Sequence, residues 1–140
     1  MDGKGAHSKE AFPRIGTIES PSLFSDGDKL LLSYEVAPVD GGGTVILQFD
    51  DVLHFEQNPM NVEGISGARF PTSAWQFTEV LDSDRAQKWQ ALRPRFWTVS
   101  FNDVTVEILF GTVQLAQESK DEVNPGIALM RYLGNQMGVR

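Results

Sequence analysis

Asp50, His54 and Glu56 fall in the run VILQFDDVLHFE. An imidazole with carboxylates four residues before it and two after it has the residue types that bind metals or move protons. Side chains alternate along an extended chain, so these three even-numbered positions share a face. The spacing is not specific, however. A zinc or iron centre draws His or Cys from more than one segment, and the other histidine, His7, lies near the N-terminus. No metal and no cofactor are expected. Asp51 belongs to the opposite face. With His54 and Glu56 it would make an acid–base site in the mouth of a sheet, as in a small hydrolase or isomerase. These three are the candidate catalytic residues.

Other chemistry is not announced. The chain has no cysteine, which removes disulfides and thiolate catalysis. Gly64-Ile65-Ser66-Gly67 falls short of a nucleophile elbow, and Gly41-Gly42-Gly43-Thr44 lacks the lysine of a phosphate loop. Asp26-Gly27-Asp28 starts like a calcium loop but lacks the closing glutamate, so it reads as a turn. Arg93-Pro94-Arg95-Phe96-Trp97 mixes bases with aromatics, a combination that can stack on single-stranded nucleic acid. Parity assigns Trp97 to a core instead.

That parity comes from a repeated tetrapeptide, Phe49-Asp50-Asp51-Val52 and Phe101-Asn102-Asp103-Val104. In the second copy the large apolar residues are odd before the turn (97, 99, 101) and even after it (104, 106, 108, 110). A two-residue turn at Asn102-Asp103 pairs 101 with 104, 99 with 106 and 97 with 108, apolar with apolar throughout. A second flip at Gly111 marks a bulge. The first copy does not pair this way. One continuous strand over 44–56 puts Val45, Leu47, Phe49, Leu53 and Phe55 on one face, with Asp51 as the intruder. The length of that strand favours a bend at Asp50-Asp51, with both carboxylates solvated.

Around these sites the sequence predicts strands at 14–19, 30–36 and 74–80, a flexible loop at 38–43 and a long connection at 57–73. Residues 1–12 read as a mobile tail ahead of a single domain over 13–140. A helix over 83–92 starts at Asp82 or Ser83 and stops before Pro94. A second helix follows Asn124 as cap and Pro125 as first residue, with an apolar stripe of Ile127, Met130, Leu133 and Met137 widened by Leu129. The expected fold is α+β: a mostly antiparallel, curved or barrel-like sheet, with one short helix and a C-terminal helix packed on it.

Charge points toward a class of partner. The net charge is −7, which argues against nucleic acid as a general ligand. No apolar run approaches the roughly 18–20 residues that span a bilayer, and the N-terminus has no secretory signal. A cytoplasmic location follows by default. Between Leu30 and Ala68 the chain carries Glu35, Asp40, Asp50, Asp51, Glu56 and Glu63 and no Lys or Arg. From Arg85 to Arg95 it carries four bases and no acid. The favoured functional reading is a non-enzymatic binding domain, immunity- or antitoxin-like, that takes a basic protein partner on an acidic surface formed by Asp50, Asp51, Glu56 and Glu63. Self-association through a sheet edge or the C-terminal helix stays open.

Overall fold

The structure is a computed structural model and describes residues 2–59 and 68–136. Among these residues the chain forms two open antiparallel sheets packed face to face. Strands β1 (Lys4–His7), β6 (Phe77–Leu81), β7 (Arg95–Ser100), β8 (Val104–Phe110) and β5 (His54–Pro59) lie in that order in a five-stranded sheet. Strands β2 (Ser22–Ser25), β3 (Lys29–Glu35), β4 (Thr44–Asp50) and β9 (Thr112–Ser119) form the second. The architecture is mostly antiparallel with a C-terminal helix, as expected. The barrel-like description is corrected: neither sheet closes on itself, and each keeps two edge strands.

Alternation builds the core. Leu30, Leu32 and Tyr34 of β3 and Val45, Leu47 and Phe49 of β4 face Trp97 and Val99 of β7 and Val106, Ile108 and Phe110 of β8, all buried. The Trp97 ring lies 5.2 Å from Phe77, 5.6 Å from Phe49 and 5.4 Å from Phe110, centroid to centroid. Such pairs add about 0.5–1.5 kcal/mol each beyond area burial. The Asn102-Asp103 hairpin has the expected register: Trp97 opposes Ile108, Val99 opposes Val106, and Phe101 N donates to Val104 O at 2.8 Å.

The first tetrapeptide folds differently. β4 belongs to one sheet and β5 to the other, so the chain bends between them and the continuous strand over 44–56 does not form. Asp51 takes the bend at φ 54°, a left-handed conformation that aspartate tolerates better than most residues. Its side chain is exposed. The partner strand crosses at the same corner, from β8 to β9 through Gly111, whose N–H donates to Asp50 O at 3.0 Å. Gly111 is therefore a crossing point and not a bulge within one ladder. The bulge lies in β9 at Ala116, between the pairs Leu47–Leu115 and Ile46–Gln117.

The outer sheet faces are covered separately. Helix α2 (Pro125–Gln136) packs Leu129, Tyr132 and Leu133 on Leu31 and Ile46. Asn124 Oδ1 caps it by accepting from Ile127 N at 3.1 Å. The expected stripe is rotated. Ile127 and Met130 are exposed, and the buried side runs through Pro125, Ala128 and Leu129; Met137 lies outside the described residues. Leu129 and Leu133, both in the expected stripe, do pack on the sheet. On the other sheet Phe70, Val80, Phe96 and Leu109 form a second cluster with Leu53 and Ala86. Helix α1 (Asp84–Gln87) is one turn, capped by Ser83 Oγ accepting from Ala86 N at 3.2 Å. The expected helix over 83–92 breaks after it into a 3-10 turn at Gln90–Leu92. Trp89 and Leu92 are exposed, so no buried stripe holds the longer helix together.

Other segments also differ from the expected elements. Lys4–His7, read as tail, pairs with β6, and Phe12 packs on the core. In place of a strand over 14–19, Ile15 makes an isolated bridge to Val36. The loop before β4 is a 3-10 turn at Pro38–Asp40 followed by three glycines at positive φ. Gly43 lies against backbone: an added Cβ would collide with the Ser119 carbonyl and sit 2.8 Å from Lys120 Cα. Gly42 has open space. Gly42→Ala is expected to cost about 1 kcal/mol, the left-handed penalty alone. Gly43→Ala should cost clearly more, because β4 must also move away from β9. Urea unfolding of the two variants checks the difference.

Candidate functional site

β5 places His54, Glu56 and Asn58 on the outer face of the five-stranded sheet. The register sets Glu56 directly opposite Glu107 on β8, a repulsive pairing. Arg85, from α1, resolves it. Its Nη1 donates to Glu107 Oε1 at 2.5 Å and its Nη2 to Glu56 Oε1 at 3.4 Å. The guanidinium lies 4.6 Å from the Phe70 ring centroid and 5.4 Å from that of Phe96, a stacked arrangement that suits Arg. His54 Nε2 is 2.9 Å from Glu56 Oε1, and Asn58 Nδ2 donates to Glu56 Oε2 at 3.1 Å. Glu56 is consequently held below the usual carboxylate value, first by the His54 hydrogen bond, then by that of Asn58, with Arg85 adding to it. His54 lines a cavity of about 310 Å³ with Leu53, Arg69, Asp84, Arg85, Lys88 and Trp89. Among the described residues, none on that wall is a hydroxyl or thiol nucleophile.

Asp50 and Asp51 lie at the corner between the sheets. Asp50 accepts from Gln48 Nε2 at 3.1 and 3.2 Å. Asp51 lines a second cavity, of about 460 Å³, with Asp28, Val52, Leu53, Leu92, Pro94, Phe110 and Gly111. The structure therefore brings His54 and Glu56 together and leaves Asp51 with a different set of neighbours. The interior between the two sheets is filled by the core around Trp97, and the three residues expected around the mouth of a sheet are divided between its outer face and the corner. Glu63 lies outside the described residues. Among the described residues no cluster of three or more His, Asp or Glu is placed to hold a metal, and no helix is long and apolar enough to cross a membrane.

Several acids of the base-free run serve as internal acceptors. Glu35 Oε1 accepts from Ile18 N at 3.0 Å and Glu19 N at 3.2 Å, and Asp40 Oδ2 accepts from Arg14 N at 2.7 Å. Two bases of the basic run, Arg85 and Arg95, are tied down as well. Arg95 donates to both Glu10 oxygens at 2.8 Å and to Glu79 at 2.7 and 3.0 Å, while Trp97 Nε1 donates to Glu79 Oε1 at 3.0 Å. Sequence reasoning missed this cluster. The signal was available in Glu79, which alternates with Phe77 toward the core side of β6. Comparison with protein-family models, curated proteins and solved structures found no match for this chain.

The cluster sets the expected acid response. The Arg95 hydrogen bonds lower Glu10. Burial raises Glu79, but the bonds from Arg95 and Trp97 outweigh it and the net shift is downward. Carboxyls depressed in the folded state contribute stability that is present above the ordinary value of 4.5 and lost as pH falls through the folded values. Arg95→Met should cost about 2 kcal/mol at pH 7, by leaving two partly buried carboxylates without a cation. The loss should shrink toward pH 4–5, where the freed carboxyls take up protons. Urea unfolding of both proteins at the two pH values checks this, and equal losses would contradict it.

Proposed function

We propose that the chain is a non-enzymatic binding domain that takes a basic protein partner at the corner where the two sheets meet. One observation carries this reading: the cavity there joins apolar walls to two exposed carboxylates. Val52, Leu53, Leu92, Pro94 and Phe110 supply the walls, with Asp28 and Asp51 beside them. Neither carboxylate has a hydrogen-bonding or ionic partner among the described residues. That combination suits a Lys or Arg side chain, whose aliphatic stem takes apolar surface while its charged head stays at the wet rim. Leu92, 63% exposed, is the kind of apolar surface such a contact covers.

The acidic surface expected from sequence divides on this reading. Asp51 recognises the partner, with Asp50 close behind it and Asp28 added. Glu56 serves the Arg85 cluster instead. The negative net charge favours encounter with a basic partner at low ionic strength.

An amidated hexalysine peptide, titrated at low salt with amide NMR shifts as the readout, tests this. Shifts are expected at residues 28, 51–53, 92 and 111. The double variant Asp28→Asn/Asp51→Asn should weaken binding by about fivefold or more, and Glu56→Gln by much less. Undiminished binding by the double variant would sink the reading.

A further inference from the structure

The segments on either side of β1 and β6 enclose a groove away from the corner. Two adjoining cavities, of about 430 and 290 Å³, share His7 and Gln76 as lining residues. Trp75 stands on the wall of the larger one with φ 55°, a left-handed conformation that is strained for a bulky side chain. The strain is held in place. Trp75 N donates to Ser100 O at 2.6 Å, and its indole Nε1 donates to Asn102 Oδ1 at 2.9 Å. With its polar edge anchored, the indole keeps a fixed orientation and remains 40% exposed. Strain of this kind, over-determined by its surroundings, is a mark of a functional surface.

The polar side chains of the groove are distributed along it. Arg14 lines the larger cavity, Ser73 the smaller, and His7 and Gln76 both. None of these four side chains has a hydrogen-bonding partner among the described residues. Glu10, also on the wall, is already held by Arg95. Hydrogen-bonding side chains along the groove and an exposed indole suit a ligand that offers hydroxyls along its length and an apolar face. We infer that this groove binds a neutral oligosaccharide, with Trp75 stacking on the C–H face of a sugar ring and His7, Arg14, Ser73 and Gln76 hydrogen-bonding its hydroxyls. The site is separate from the corner and does not depend on its role: the two share no lining residue.

Native gels containing hydroxyethylcellulose, xylan, galactomannan or laminarin provide the test, because bound polysaccharide slows the protein. At least one of the four is expected to retard the wild type, equally with and without 0.5 M NaCl (about a 4 Å Debye length). Trp75→Ala should weaken retardation about tenfold, Trp75→Phe less, and Trp89→Ala not at all. Gln76→Ala, at an exposed side chain without partners, gives a second weakening variant should Trp75→Ala unfold. Retardation by none of the four overturns the inference. So does unchanged retardation in folded Trp75→Ala. Retardation abolished by salt also overturns it, and assigns the groove to an anion held by Arg14.

Discussion

Two neighbouring strands leave one sheet and enter the other at the same place, and the backbone must satisfy that crossing before anything else can pack. The bend needs a residue that accepts positive φ on one strand and a residue without a side chain on the other. Asp51 supplies the first and Gly111 the second. Their closeness is literal: a Cβ on Gly111 would stand 3.0 Å from Asp51 Cβ. Hydrogen bonds from Gly111 N to Asp50 O, Leu53 N to Leu109 O and Val52 N to Asp28 O keep the ladder satisfied through the turn. Only with that corner fixed do β3 and β4 face β7 and β8, closing the core around Trp97. The corner cavity is a product of the same geometry, because two sheets diverging from a bend leave apolar residues at their edge that neither sheet covers.

Electrostatics then follows from topology. Antiparallel pairing of β5 with β8 forces Glu56 opposite Glu107, and Arg85 is the cation that makes the pairing tolerable. Burial of Trp97 brings its indole N–H beside Glu79, and Arg95 completes that group together with Glu10. Of the four bases that crowd residues 85–95, Arg85 and Arg95 are therefore not free: they neutralise carboxylates on the sheet. The net charge of −7 is correspondingly carried by acids elsewhere, and Asp28 and Asp51 are exposed at the corner. Charge that packing does not consume is what remains for a partner to meet.

Much of the fold was legible where a local rule acted alone. Parity through Asn102-Asp103 specified a hairpin register, and Asn124 with Pro125 specified a helix start, because each depends only on neighbouring residues. The bend at Asp51 was legible as an alternative, since strand length opposed parity there and length won. The rotated face of α2 was not legible. Leu129 and Leu133 of the expected stripe do pack on the sheet, but Ile127 and Met130 are as regularly spaced as Pro125 and Ala128, and spacing alone does not choose between those two pairs. The pairing of His7 with Thr78 was hidden for a similar reason. Lys4-Gly5-Ala6-His7 has no apolar alternation, and it forms a strand because the β6 edge offers it hydrogen bonds.

The candidate sites divide along the same line. His54 and Glu56 were placed together correctly by alternation, a property of one strand. Asp51 was grouped with them by nearness in sequence, yet a single left-handed residue between β4 and β5 turns its side chain toward Asp28 and Leu92. The groove beside Trp75 drew on segments around residues 7, 14 and 75, so no spacing rule could assemble it. A site made within one strand can be read from a sequence. A site made by the meeting of distant segments depends on the corner that brings the sheets together, and that corner is written in two residues sixty positions apart, Asp51 and Gly111.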